Sequence, residues 1–342
     1  MEQVQIKEPI PLLDENGNVL KPGYCKTPLY EYKRSAIKAN PLRIKEWDFY
    51  QFSNKRYTTQ ITAGDISMAG AGSFGFFDRM TGEHFDILRP MPLTLGRLGL
   101  GENAETPNTV RIKNINFDLT IVSTKKKRSI SFKGKDIRGR SAEAEIEAEI
   151  PEGLESLVMA VPFKEKGHFY YNQKVNSMPV KGYVKAGDMF AEYKPETDFL
   201  ILDWGRGVWP YKVHWYWGNG TYRMKDGRTF GFEIGWGFGD MSAATENMIF
   251  CNGKGHKIGK IALEYDKSDL MKPWHFISDD GKFDLTMTPE YDNATSALVL
   301  GLVGSKCHQV YGKWNGTAVL DSGEVLKIEN MLAFCEDVTN RW

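Results

Sequence analysis

The side chains best suited to acid–base chemistry crowd into the middle of the chain, among an unusual concentration of indole rings. Asp203-Trp204-Gly205-Arg206-Gly207 leads through Trp209 into His214-Trp215-Tyr216-Trp217. A second run, Gly231-Phe232-Glu233-Ile234-Gly235-Trp236-Gly237-Phe238-Gly239-Asp240, follows, and then Glu246-Asn247. Five of the nine tryptophans lie here: Trp204, Trp209, Trp215, Trp217 and Trp236. A carboxyl set among bulky apolar groups resists ionisation, and an acid that keeps its proton near neutral pH can donate it in catalysis. Asp240 is the foremost candidate on that ground, with His214 to orient or activate water. Asp203 and Glu246 are further candidate carboxylates, Glu246 as a base or as the partner of Arg206. The ring faces of Trp215, Trp217 and Trp236 can hold developing positive charge. Tyr216, Phe238, Glu233, Asn247 and Arg206 complete the candidate ligand wall. Each has a plainer reading beside it: a tryptophan stripe as core, His214 as an interior hydrogen-bonding group, Asp203 and Arg206 as a structural ion pair, and Asp240 as a cap at a strand exit.

The faces these residues share depend on register. A ribbon whose turn is centred on Asp226-Gly227 pairs an even-numbered residue on one arm with an odd-numbered residue on the other. His214 and Tyr216 then share a face with Glu233, Gly235, Gly237 and Gly239. Trp215 and Trp217 share the other with Ile234, Trp236, Phe238 and Asp240. Either face, the glycine-opened or the aromatic, can line a cavity, and the sequence leaves both open.

The elements that must position these groups read as strands. In the run 143–150 the acids fall on one parity and the small or apolar residues on the other, the period-two mark of a half-buried strand. Asn219-Gly220, Asp226-Gly227, Asn252-Gly253, Asp280-Gly281, Asn315-Gly316 and Ser322-Gly323 supply the positive φ angles of tight hairpin turns. Short helices are expected only over 293–300 and 242–247. The fold class is therefore all-β, and long antiparallel meanders remove their edges by curling into barrels or half-barrels. With 342 residues the chain exceeds the usual size of one core. We expect an irregular lead-in over 1–40, whose Tyr30 and Tyr32 lie across a neighbouring surface, a first unit over 41–195, and a second over 196–342 that carries the aromatic cluster.

Lysine plus arginine equals aspartate plus glutamate at 44 each, so no global charge draws the chain to nucleic acid. The basic run Lys125-Lys126-Lys127-Arg128 reads as a solvated turn. The four cysteines, Cys25, Cys251, Cys307 and Cys335, are scattered without ligand spacing, which suits a reduced, cytoplasmic setting and no metal or disulfide. No stretch is long and apolar enough for integral membrane association.

Trp47-Asp48-Phe49-Tyr50, the Asp203 to Gly207 run, His214-Trp215-Tyr216-Trp217, Glu246-Asn247, Lys272-Pro273-Trp274 and Gly312-Lys313-Trp314-Asn315-Gly316 together resemble a widespread bacterial family known mainly as a domain of unknown function. More distantly the chain is similar to the two-unit lipocalin-like group of carotenoid 1,2-hydratases, tocopherol-cyclase-like enzymes and fungal Diels–Alder cyclases. That resemblance implies a cavity for a long apolar substrate, with a His and an Asp near aromatic residues. Its counterparts here are His214, Trp215 or Trp217, and Phe238 with Asp240. The partner expected is an apolar or amphipathic small molecule, with a homodimer left open. Three functions compete. One is a cofactor-independent hydratase, cyclase or isomerase acting on a carbon–carbon double bond. The second is a carrier or sensor of a hydrophobic ligand. The third is a carbohydrate-directed hydrolase with carboxylates drawn from Asp203, Glu233, Asp240 and Glu246. A carboxyl buried against indole rings favours the first, a cavity without converging polar groups the second, and a spaced carboxylate pair the third.

Overall fold

The computed structural model describes residues 2–299 and 303–341. They form two curled antiparallel half-barrel sheets, with helix limited to the single 3-10 turns Arg34–Ala36 and Pro41–Arg43. The first sheet runs from the edge strand His84–Pro92 through Ala69–Asp78, Tyr57–Asp65, Lys45–Ser53, Phe199–Val208, Phe169–Ala186, Ser141–Glu149, Lys127–Lys135 and Phe117–Ser123 to Asn108–Asn114. Its ends meet through side chains: Phe74 stacks on Phe132 with ring centroids 4.2 Å apart. The second sheet runs from Lys254–Lys257 through Met248–Cys251, Thr229–Trp236, Lys212–Arg223, Val325–Arg341, Val303–Val319, Phe283–Val299 and Trp274–Ser278 to Ile261–Glu264. Phe199–Val208 pairs with Lys45–Ser53 and Phe169–Ala186, so this strand belongs to the first sheet and the second begins at Lys212.

Each half-barrel fills its own interior with apolar side chains, and smaller apolar clusters lie between the two. The lead-in contributes to the first interior, where Tyr30 and Tyr32 are buried against Tyr171. In Ser141–Glu149 the alanines and Ile146 are buried while the glutamates face outward, as their period requires.

The strand Phe169–Ala186 ties the molecule together. Its register breaks between Val175 and Met178, where Ser177 takes φ 63°. The extra residues bend the strand. Asn176 is thereby buried and reaches across to the second half, donating to the Phe232 carbonyl at 3.3 Å.

Several local expectations change. Residues 293–299 lie in the strand Phe283–Val299, paired residue by residue with Val303–Val319, and not in a helix; Leu300 lies outside the described residues. The 242–247 segment is irregular loop. Asn219-Gly220 sits inside the strand Lys212–Arg223, paired on both sides, and Asn315-Gly316 marks a bulge with Gly316 at φ 146°. Lys127 and Arg128 leave the basic turn to begin a strand, and Arg128 is buried, its guanidinium donating to the Thr124 carbonyl at 2.6 Å.

Candidate functional site

The site rests on a register set by one turn. Arg223 pairs with Thr229, and the turn closes with Met224 N–H on the Arg228 carbonyl at 2.8 Å. Gly227 takes φ 86° inside it. Three residues, and not two, therefore form the loop, and the odd count reverses the sharing of faces expected from a turn centred on Asp226-Gly227. Tyr216 opposes Trp236, Trp217 opposes Gly235, and Asn219 opposes Glu233. Trp217 and Glu233 thus share a face, and the indole N–H of Trp217 donates to Glu233 at 2.9 Å.

That face looks at the first half-barrel across a cavity of about 380 Å³. One rung of the second sheet supplies Trp217, Glu336, Gln309 and Asn293, each directly opposite the next on neighbouring strands. A rung of the first sheet supplies Lys174, Asp203, Phe49 and Thr62 in the same way. Trp47, Tyr170, Trp209, Trp215 and Phe238 close the apolar wall. Trp47 and Tyr170 stack, and Trp209 and Trp215 each meet Phe238 edge on.

Lys174 is the cation of the site. It is 2 % exposed and lies 2.8 Å from Asp203, 3.2 Å from Glu246, and over the Trp217 ring at 4.3 Å from its centroid. Burial opposes its charge, but Asp203, Tyr170 and Glu246 outweigh that and hold it an ammonium ion. Glu246 also accepts from the Asn172 amide at 2.9 Å and the Tyr170 hydroxyl at 3.4 Å. Burial, with Asp203 beside it, raises the Glu246 carboxyl against the pull of Lys174. A Cβ at position 235 would stand 2.7 Å from Glu246 Oε2, which is the close approach that Gly235 permits.

Glu336 is the second acidic centre. Its Oε1 accepts the Trp215 indole N–H at 3.1 Å, and the Gln309 amide approaches Oε2 at 3.4 Å. Burial pushes the carboxyl up to about 7, with Trp215 and Lys174 acting in the opposite direction. Glu233, behind Trp217 and bonded to Asn219, is pushed by burial to about 8. Asn340 lines the cavity with an amide oxygen that finds no hydrogen-bond partner among the described residues. Among those residues no three His, Cys, Asp or Glu side chains converge closely enough to hold a metal ion.

Of the residues singled out in sequence, Asp203, Glu246, Trp215, Trp217 and Phe238 line this cavity, and Glu233 backs it. Others do not. Asp240 is exposed, and its carboxylate caps the Ser242 N–H at 2.9 Å, because the positive φ angles of Gly237 and Gly239 end the strand before it. His214 and Tyr216 point to the opposite face of their strand. There His214 pairs with Asp337 at 2.8 Å, and Tyr216 stacks on Trp236. Arg206 faces the interior of the first half-barrel, 3.0 Å from Asp48 and bonded to the Trp47 and Gly101 carbonyls, and is no partner of Glu246. Asn247 is spent on backbone, accepting from Gly235 N–H and donating to the Gly259 carbonyl. Sequence reading missed Lys174 and Glu336. The signal for Lys174 was the polar parity Asn172-Lys174-Asn176, which reads as a solvent face unless a second sheet covers it.

The family model described as a domain of unknown function, DUF2804, matches residues 3–342, and the chain belongs to that family. No curated protein matches the chain. Among solved structures it is similar to kievitone hydratase from Nectria haematococca, with 8 % identity over 87 % of this chain and 88 % of that one and a TM-score of 0.46. It is also similar to an AttH-type protein from Nitrosomonas europaea, with 12 % identity over 90 % and 95 % of the two chains and a TM-score of 0.42.

Proposed function

We propose that this member of the DUF2804 family performs acid–base chemistry on a carbon–carbon double bond of a largely apolar substrate, as a cofactor-independent hydratase, cyclase or isomerase. The observation that carries the reading is Glu336, a carboxyl buried against an indole and poised at about 7, which keeps a useful share of its proton at neutral pH. In this reading Glu336 gives its proton to one alkene carbon. Positive charge develops on the other carbon, and the face of Trp215 stabilises it, the Trp217 ring being taken by Lys174. In a hydratase, water then forms the new C–O bond and loses its proton to Asp203, held beside Lys174. In an isomerase or cyclase, a substrate C–H loses its proton to the same carboxylate. Solvent exchange returns the proton to Glu336.

The aromatic wall supports an apolar body for the substrate, and the free Asn340 oxygen supports one hydroxyl or N–H group on it. The convergence of Lys174, Asp203, Glu246 and Glu336 argues against a passive carrier, because holding buried charge costs stability that a carrier has no use for. Asp203 and Glu246 share one ammonium partner, which argues against their serving as the two separate carboxylates of a glycosidase.

The test starts from compounds that co-purify with the protein from its own host, identified by extraction and mass spectrometry. Incubating them with the protein in heavy water should place deuterium on carbon, and Glu336→Gln should slow that incorporation by at least ~100-fold. Retained ligand with no carbon–deuterium exchange in the native protein would instead establish a carrier.

A further inference from the structure

One end of the first half-barrel carries three hairpin turns side by side. The turn after Asn108–Asn114 presents Ile115 and Asn116, with Asn114 paired to Phe117. The turn at 136–140 presents Ile137 and Arg138, and Lys135 N–H bonds to the Asn116 carbonyl at 3.0 Å. The turn at Gly187-Asp188 lies next, with Gly187 N–H on the Ser141 carbonyl at 3.0 Å. Ile115 is 96 % exposed and Ile137 104 % exposed, the two most exposed large apolar side chains among the described residues. Turn tips favour Gly, Asn, Asp or Pro, so a β-branched apolar residue at two adjacent tips has no local structural reason.

The charges around these tips are unbalanced. The acids Asp118 and Asp136 are occupied: Asp118 by Lys113 and Arg111, Asp136 by Arg140 at 2.7 Å and by the N–H groups of its own turn. Lys133, Lys135, Arg138 and Lys185 stand exposed and form no ion pair among the described residues, with Glu143 directly opposite both Lys133 and Lys185 in the ladder. Glu143 and Asp188 are the remaining acids of the groove between the tips.

We infer that this end of the molecule docks on an anionic lipid bilayer, with Ile115 and Ile137 inserted at the headgroup boundary and Lys133, Lys135, Arg138 and Lys185 against the lipid phosphates. Two projecting apolar points ringed by cations match that interface, where apolar insertion and attraction to anionic lipid reinforce each other. They match a protein partner less well, since stable protein interfaces need a broad, closely packed surface. This docking is peripheral and goes beyond the chemistry proposed above. It holds whether or not the cavity is catalytic.

Vesicle co-sedimentation tests it directly. The native chain should partition onto phosphatidylcholine vesicles containing phosphatidylserine, with at least ~10-fold weaker binding to phosphatidylcholine alone and release by added salt. The double variant Ile115→Ser, Ile137→Ser should lose binding by ~10-fold or more, and Lys133→Glu with Lys135→Glu should do the same. All four positions are solvent-exposed, and an unchanged melting temperature will verify that the variants fold. A native chain that stays in the supernatant with both vesicles overturns the inference. So does a double isoleucine variant that binds as well as the native chain, or a concentration-dependent dimer in sedimentation that the same variant abolishes.

Discussion

Trp215 and Glu336 sit on neighbouring strands one diagonal step apart, and the indole N–H of the first donates to the carboxyl of the second at 3.1 Å. The same pairing recurs one step along the strand, where Trp217 donates to Glu233 at 2.9 Å. A tryptophan N–H has a single donor and no acceptor, so it orients a carboxyl without neutralising it. The ring meanwhile removes the water that would favour the charged form. Each pair therefore joins an apolar wall to an acid that resists ionisation.

The pH dependence of folding should expose these acids. Glu336 is raised to about 7 and Glu233 to about 8, both above the ordinary glutamate value near 4.5. Between those limits the folded chain binds more protons than the unfolded one. Their contribution to stability is therefore complete below pH 4.5 and is lost as pH rises through 7 and 8. Glu336→Gln removes the ionisation, so urea denaturation should find it more stable than the native chain at pH 8 by about 3 kcal/mol, with little difference at pH 4. A native profile as flat as the variant's would remove Glu336 as a proton donor.

Lys174 should be the most sensitive position in the cavity. Its replacement by methionine keeps the length of the side chain but leaves Asp203 and Glu246 buried without their cation. Breaking a buried ion pair from one side costs about 3–5 kcal/mol. The cost should be smaller at pH 5, where the stranded carboxyls can take up protons, than at pH 8. Denaturation midpoints that shift equally at both pH values would mean that the lysine acts through packing alone.

The strands and their alternation were legible because each half-barrel has a polar and an apolar face, and Ser141–Glu149 shows both in its letters. The cavity was legible only in part. Sequence patterns report whether a face is polar and cannot say what covers it. The parity of Asn172, Lys174 and Asn176 reads as solvent-facing, yet a second sheet buries all three. Glu336 was hidden in another way: in its strand Val325–Arg341 it follows the unbroken apolar run from Met331 to Cys335, where no alternation marks its face. One residue in the 224–228 turn decided the rest, since the true register puts Glu233 with Trp217 and sends Trp236 to Tyr216.

Asp240 and His214, the residues that sequence spacing favours most for catalysis, should tolerate replacement. Asp240 is exposed and His214 is 46 % exposed in its ion pair with Asp337. Asp240→Asn keeps an oxygen for the Ser242 N–H, and His214→Ala removes one surface pair worth about 0.2–1 kcal/mol. Both proteins should retain whatever ligand the native chain retains and exchange its carbon-bound hydrogen at the native rate. A large loss of exchange in either, with melting unchanged, would relocate the chemistry from the inter-sheet cavity to the surface cluster of His214, Tyr265 and Asp337.

The register of the central ribbon can be tested by changing its turn. Gly227 takes φ 86°, and a Cβ added there would have no atom within 4 Å, so Gly227→Ala meets backbone strain and no clash. It should cost about 1 kcal/mol and leave the pairing in place. Deleting Met224, the last residue of the ladder before the loop, is a different perturbation. With the three-residue loop kept, Arg223 would close on Arg228, and continuing the ladder from it would oppose even positions to odd ones. Trp217 would turn away from Glu233, and the cavity wall and the barrel interior would exchange side chains. The deletion should therefore abolish cooperative unfolding, read as a lost near-ultraviolet tryptophan signal, while Gly227→Ala keeps it. A deletion variant that unfolds cooperatively with native tryptophan spectra would show that packing between the two half-barrels, and not the turn, sets the register.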